Sequence, residues 1–117
     1  VVQNALPGST PATSFDPTGF AQMPNGEDFS DYVKQDYTYD PAKAKQLWEE
    51  GLKQLGLTKL TLSLEAASDL APSVATANYL QTNWQTALPG LTVSLKMVPF
   101  QQRITDQNDQ NFQVMLA

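Results

Sequence analysis

Four aspartates fall in pairs that could share a proton: Asp28 with Asp31, and Asp36 with Asp40. A carboxylate pair does general acid–base work only where its surroundings split the two pKa values. Both pairs lie among turn residues, where carboxylates are usually solvated. A second polar group, Asp106, Asn108, Asp109 and Asn111, has alternating oxygen ligands in the manner of a calcium loop. It lacks the glycine at the bend and the closing glutamate that such a loop needs. The chain contains no Cys and no His. Thiolate chemistry, imidazole triads and His-ligated metal sites are therefore excluded within it. There is no glycine-rich phosphate loop and no G-x-S-x-G elbow. The chemistry on offer is that of binding and not of catalysis, and no cofactor is called for.

Charge narrows the partners. The 117 residues carry a net charge of −5, and the seven basic residues are scattered. No basic patch points to nucleic acid or an anionic membrane surface. No apolar run approaches the roughly 20 residues of a membrane-spanning helix. Hydrophobic residues make up 41% of the chain, enough for a core and against wholesale disorder. A chain of this size is expected to be one domain, residues 1–117, hiding roughly two thirds of its unfolded surface.

The elements that must position any site centre on residues 60–100. Leu60, Leu62 and Leu64 alternate with Thr61, Ser63 and Glu65, the two-residue period of a half-buried strand. Leu91, Val93, Leu95 and Met97 repeat the pattern with Thr92, Ser94, Lys96 and Val98. The intervening stretch predicts a crossover helix, capped near Ser68 and Asp69, with Val74, Ala77, Leu80, Trp84, Ala87 and Leu88 as its buried stripe. Its other face is neutral and polar: Asn78, Gln81, Thr82, Asn83 and Gln85. Two strands joined this way lie parallel in one sheet. Upstream, Asp40 as N-cap and Pro41 at the first helical position open a helix over 40–56 that Gly56 ends. Its apolar face is Ala44, Leu47, Trp48, Gly51, Leu52 and Leu55, with Trp48 as a core anchor. Gly51, inside that face, implies the close approach of another backbone. A short helix over 100–109 with Ile104 inward and a strand at Phe112, Val114 and Leu116 complete a β-α-β-α-β unit over 59–117. The fold class is α/β, a mostly parallel or mixed sheet with helices packed on it.

Residues 1–39 read as a long irregular segment. Turn signals recur at Pro7-Gly8, Pro11, Asp16-Pro17, Gly19, Pro24 and Asn25-Gly26. Singly spaced Leu6, Phe15, Phe20, Met23, Phe29 and Tyr32 predict an ordered segment pinned by its apolar side chains, with a short helix over 27–34. The apolar ends, Val1-Val2 and Phe112 to Ala117, suggest a piece of a longer protein.

Taken together these elements carry a resemblance. Tyr39-Asp40-Pro41-Ala42-Lys43-Ala44-Lys45-Gln46-Leu47-Trp48 resembles the "DP-x-K-A-K-x-L-L" helix of the oligopeptide- and dipeptide-binding extracytoplasmic receptors of ABC transporters. The strand at Leu60 to Leu64, the helix and turn at Leu80 to Val93, the strand ending at Val98-Pro99-Phe100, and Phe112-Gln113-Val114-Met115-Leu116 follow in that family's order. Ser9 to Thr13 is similar to its "G-x-P-A" turn. Gln113 stands where the family commonly has aspartate, and Pro89-Gly90 varies its glycine turn.

The resemblance implies a fragment of the C-terminal lobe of a two-lobed, periplasmic-binding-protein-like receptor. Such a protein would bind extended oligopeptides in its cleft and deliver them to a membrane permease. It would be extracytoplasmic, either a lipoprotein anchored at the cell surface or periplasmic. The resemblance points to Phe100, just after the second strand, and to Gln107 as ligand-binding residues. Open α/β sheets bind at the carboxyl ends of their strands, which makes the Glu65-to-Ser68 loop cleft-facing as well. For Phe100 the alternative is a plug over that sheet edge. Alternatives for the whole are a receptor for nickel, a sugar or a signalling peptide on the same scaffold, or a fragment of a small α/β enzyme.

Overall fold

Two strands of eight residues, β1 (Leu60–Ala67) and β2 (Leu91–Val98), pair in parallel along their whole length, from Leu60 opposite Leu91 to Ala67 opposite Val98. Leu62 stands opposite Val93, as the two alternating patterns require. The structure, a computed structural model, describes residue 8 and residues 15–33 and 39–117. Contacts divide the chain into a unit of Gly8–Tyr39 and a larger one containing Asp40–Ala117. Readings placed on Val1-Val2, Leu6, Ser9 to Thr13 and Asp36 lie outside the described residues.

In the smaller unit, α1 (Phe29–Tyr32) is the expected short helix. The carboxylate of Asp28 holds the unit together. It accepts from Gly19 N at 2.6 Å and from Ser30 N at 2.9 Å, so it closes a loop and caps α1 with one side chain. Ala21 to Phe29 doubles back through a Gln22–Asp28 bridge, with Met23 N donating to Glu27 O at 2.7 Å. Among the described residues of this unit Phe15 and Phe20 are exposed, while Met23 and Phe29 are half-buried and the Phe29 ring stacks on Tyr32 at 6.1 Å.

The larger unit opens with α2 (Pro41–Gln54), started as anticipated by Asp40, whose Oδ1 accepts from Lys43 N at 2.8 Å. Gly56 at φ 67 lets Leu57 N reach Leu52 O at 2.9 Å and stop the helix. Of the anticipated apolar face, only Leu52 is buried. Trp48 packs at the margin of the core, its indole N–H donating to Pro89 O at 2.8 Å, while Leu47 and Leu55 are 54% and 69% exposed. The close backbone expected at Gly51 is absent, because a Cβ there would meet nothing within 4 Å.

The crossover helix α3 (Ala71–Ala87) covers one face of the sheet. Ala66 of β1 and Ala77 of α3 are both fully buried, with Leu64, Leu91 and Val93 around them. The short side chains let the helix lie close on the sheet, and Leu62, Leu80, Trp84 and Leu88 seal the margins. Full burial of Leu64 alone is worth about 1.5–3 kcal/mol.

The anticipated cap residues of α3 are used elsewhere. The helix starts later, after Leu70, with no side-chain cap. Ser68 N instead donates to Val98 O, and Asp69 accepts from Phe100 N, which begins α4 (Phe100–Asn108). A two-residue strand, β3 (Val114–Met115), pairs in parallel with β1 and sets the order β2-β1-β3.

Short sheets leave unpaired backbone at their edges, and here amide side chains take it up. Gln81 Nε2 donates to Val93 O, and Val93 N donates to Gln85 Oε1, both at 2.8 Å, on the open side of β2. Ser63 N, beyond the reach of β3, donates to Gln113 Oε1 at 2.7 Å. Gln81 and Gln85 on the neutral face of α3, and the glutamine in place of aspartate, thus complete the ladder, while Asn78, Thr82 and Asn83 bond back to carbonyls of their own helix.

Two glycines give opposite expected outcomes in chemical denaturation. Gly90, at φ 80, would bring a Cβ within 2.6 Å of Thr58 O, so Gly90→Ala destabilises by about 1–3 kcal/mol. Gly51→Ala has open space and stabilises by up to about 1 kcal/mol. Equal loss in both variants would mean that the environment of Gly51 is misassigned.

Candidate functional site

All three strands run in one direction, so their carboxyl ends lie on one edge of the sheet. A cavity of about 300 Å3 opens there. Ala67 at the end of β1, Phe100 and Arg103 in α4, and Leu116 just past β3 line it, with Leu70 and Thr76 from the start of α3. Apolar walls dominate. This is where the topology of an open parallel sheet places a ligand.

The position of Phe100 follows from three local causes. Pro99 cannot continue the ladder of β2 and is extended at φ −56, ψ 148, so the chain leaves the sheet there. Asp69 Oδ1 then holds Phe100 N at 3.0 Å, tying the turn after β1 to the first residue of α4. Finally, Arg103, one turn on, lays its guanidinium 5.1 Å from the centre of the Phe100 ring. The ring is thereby fixed at the cavity wall.

Gln107 does not line the cavity. Its Oε1 accepts from Arg103 Nη1 at 3.0 Å, so it reaches the site through the arginine. Phe100, Arg103 and Gln107 fall at three- and four-residue spacing on one face of α4. That spacing was the available signal for Arg103, which the sequence reading passed over. The inward residues of α4 are Arg103 and Asp106, 6% and 5% exposed, and not Ile104, which is half-buried. The reason lies in what α4 covers.

Under α4 lies the polar face of β1. Glu65, expected on the polar side of the strand and at the start of a cleft-facing loop, lies within β1 and is 1% exposed. The last four residues of β1 are all buried, because α3 covers one face and α4 the other. Lys96, paired with Glu65 by the strand register, places its Nζ 2.9 Å from Glu65 Oε2 and 2.8 Å from Asp106 Oδ2. The Glu65 contact is an ion pair by distance alone. Neither of its carboxylate oxygens has a directed hydrogen bond among the described residues. Gln102 Nε2 donates to Asp106 Oδ1 at 2.9 Å. The hydrogen bond from Lys96, followed by that from Gln102, holds the Asp106 carboxyl below its ordinary value of 3.8. The two carboxylates, Asp106 first, push the Lys96 ammonium above 10.5.

This cluster is structural chemistry. Asp106 belongs to a helix and is engaged by Lys96, so the calcium-like spacing around it forms no ligand set. Among the described residues no group of three or more Asp, Glu, His or Cys is placed to hold a metal. Asp28 and Asp40, one from each carboxylate pair, are helix caps. The cavity brings together an apolar wall, an aromatic ring and a buried cation.

The shifted groups fix the sign of a pH dependence. The Asp106 value is depressed on folding, so its contribution is present above about 3.8 and is lost as pH falls through the lower folded value. The Lys96 value is raised, so its contribution is present below about 10.5 and is lost as pH rises through the higher folded value. Denaturation midpoints measured from pH 2 to 12 are expected to form a plateau with an acid and an alkaline limb. In Lys96→Met the acid limb moves to higher pH, since Asp106 loses its main partner. An unchanged acid limb would refute this assignment.

Comparison with known proteins places the chain. Residues 1–117 match the family model of bacterial extracellular solute-binding proteins, family 5, middle region. The chain is 65% identical over all 117 residues to a dipeptide-binding protein of Lactococcus lactis subsp. cremoris (strain MG1363) and spans 21% of it. The fold superposes with a TM-score of 0.88 on the crystal structure of the peptide-binding protein of a peptide ABC transporter. Identity there is 32%, over 99% of this chain and 52% of that one. It superposes at 0.85 on OppA of Listeria monocytogenes bound to peptide, again at 32% identity, over 94% of this chain and 22% of that one. The chain thus spans between about a fifth and half the length of these relatives. A match along its entire length, on the same α/β scaffold, makes it a member of the bacterial extracellular solute-binding proteins of family 5.

Proposed function

We propose that the chain is part of the C-terminal lobe of a receptor that binds extended peptides between two lobes and hands them to the permease of an ABC importer. Residues 1–117 would form one portion of that lobe: the irregular segment 1–39, the helix 40–56 and the sheet unit 59–117. The observation that carries the reading is the apolar cavity at the carboxyl ends of three parallel strands, with Phe100 held on its wall. Relatives named as dipeptide-binding and peptide-binding proteins support peptide as the solute.

Binding proceeds by hinge closure of the two lobes. Main-chain hydrogen bonds to the extended ligand supply much of the affinity, and pockets such as this one select among side chains. Phe100 packs on the ligand. Gln107 acts behind it, holding Arg103 against the ring. The protein is a binding component and not an enzyme, and it works without a cofactor. The family is one of extracellular proteins, which accords with a receptor anchored by lipid at the cell surface or held in a periplasm.

Calorimetry on the full-length protein with mixed oligopeptides tests this reading. Heat of binding is expected, and Phe100→Ala lowers affinity by about tenfold while leaving the circular dichroism spectrum unchanged. No heat with any peptide would overturn the assignment of the solute. A Phe100→Ala protein that is folded and binds as before would remove Phe100 from the site.

A further inference from the structure

The cavity at the carboxyl ends of the strands takes its two long walls from two helices. Leu70, Pro72, Ser73 and Thr76 come from the start of α3, and Phe100 and Arg103 from the start of α4. These helices lie on opposite faces of β1. The α3 wall is tied to the sheet by Ser73 Oγ, which accepts from Ala67 N at 3.1 Å. Between residues 68–87, which carry that wall, and α4 there is one hydrogen bond among the described residues. It is the bond at 3.0 Å from Phe100 N to Asp69 Oδ1.

The way this bond is made shows its weight. The first N–H groups of a helix lack partners within it, and a carboxylate suits them by its charge and its lone pairs. Asp69 precedes α3 closely enough to serve that helix, yet α3 begins without a side-chain cap. The carboxylate goes instead to α4, 31 residues further on, whose own N-cap position is Pro99 and supplies no side-chain acceptor. One cap is forgone and a bridge across the cavity is gained.

We propose that Asp69 is a positioning residue that sets the width of the cavity, and with it the size of side chain the receptor accepts. The bond fixes the backbone of Phe100, and the ring follows the backbone. At about 300 Å3 the cavity is at the small end for ligand sites, so a modest shift of one wall changes its fit appreciably. With the bond intact, a compact side chain touches both walls. Without it the α4 wall moves outward, a compact side chain loses contacts on one side and a bulkier one gains room. The inference rests on the reading of the site as a peptide-binding cleft and adds what limits the ligand.

The experiment uses the full-length protein with trialanine and trileucine. A homotripeptide carries the same side chain at every position, so whichever position meets the cavity is probed. Calorimetry is expected to show that Asp69→Ala moves the ratio of the two affinities about tenfold in favour of trileucine. Asp69→Asn keeps an oxygen that accepts from Phe100 N, and retains the wild-type ratio. In a Phe100→Ala background Asp69→Ala changes the ratio no further, because Asp69 acts through the ring. A residue that merely stabilised the fold would weaken both peptides alike and leave the ratio where it was.

Three results overturn the inference while leaving the peptide reading intact: an unchanged ratio in a folded Asp69→Ala, an Asp69→Asn that behaves like Asp69→Ala, or the same shift with and without the Phe100 ring. If Asp69→Ala does not fold, Asp69→Glu decides. Its extra methylene keeps the acceptor and moves the wall outward, so the ratio shifts in the same direction, and no shift ends the proposal. Failure of both tripeptides to bind the wild-type protein would instead remove the underlying reading.

Discussion

Parallel pairing of β1 with β2 is the constraint from which the rest of this structure follows. Parallel strands cannot be joined by a tight turn, so residues 68–90 must cross over the sheet. The crossover helix can lie close on the strands because Ala66 and Ala77 meet without bulk between them. Parallel direction also puts every strand's carboxyl end on one edge. The cavity forms there because three turns leave the sheet at the same place, and their departing residues Ala67, Phe100 and Leu116 become its walls.

A sheet this small has little interior backbone and much edge. The protein satisfies that edge with side-chain amides rather than additional strands. Gln81 and Gln85, one turn apart on α3, meet the N–H and C=O of the same residue, Val93. Gln113 extends a two-residue strand by one more bond. A carboxylate at position 113 could also accept from Ser63 N, whereas Gln113 does so without adding charge beside Glu65. Neutral polar residues that look inert as a pattern are here part of the hydrogen-bond framework.

The second organising contact is ionic. Glu65 and Lys96 face each other by register alone, and Asp106 of α4 joins them from above. Removing a buried carboxylate from water is expensive, and a shared ammonium offsets that cost only where the geometry is close. The cluster thus fixes where α4 sits on the sheet. Asp69 fixes where α4 begins. Between these two anchors Phe100 and Arg103 have little freedom, so a network outside the cavity sets the cavity's shape. The same burial explains why Arg103 and Asp106, rather than Ile104, turn inward: the surface beneath α4 is the polar face of β1.

Much of the architecture was legible in the order of residues. Alternation at 60–64 and 91–97 gave the two strands and their common face, because a two-residue period is intrinsic to the pleat. Asp40-Pro41 and Gly56 marked the ends of α2 through local backbone chemistry that needs no partner. The resemblance pointed to Phe100, whose place just after the second strand puts it on the cavity wall. Other features depended on distant contacts. Ser68 and Asp69 have the composition of helix caps, yet the fold brings closer donors and acceptors to them from Val98 and Phe100. Glu65 has the composition of a surface residue and is buried because α4 returns over it. The cationic wall of the cavity could not be read from the chain, since burial and pairing are properties of surfaces brought together. Sequence periodicity determined the strands and helices, and tertiary packing alone decided which charges found partners and which one faces the cavity.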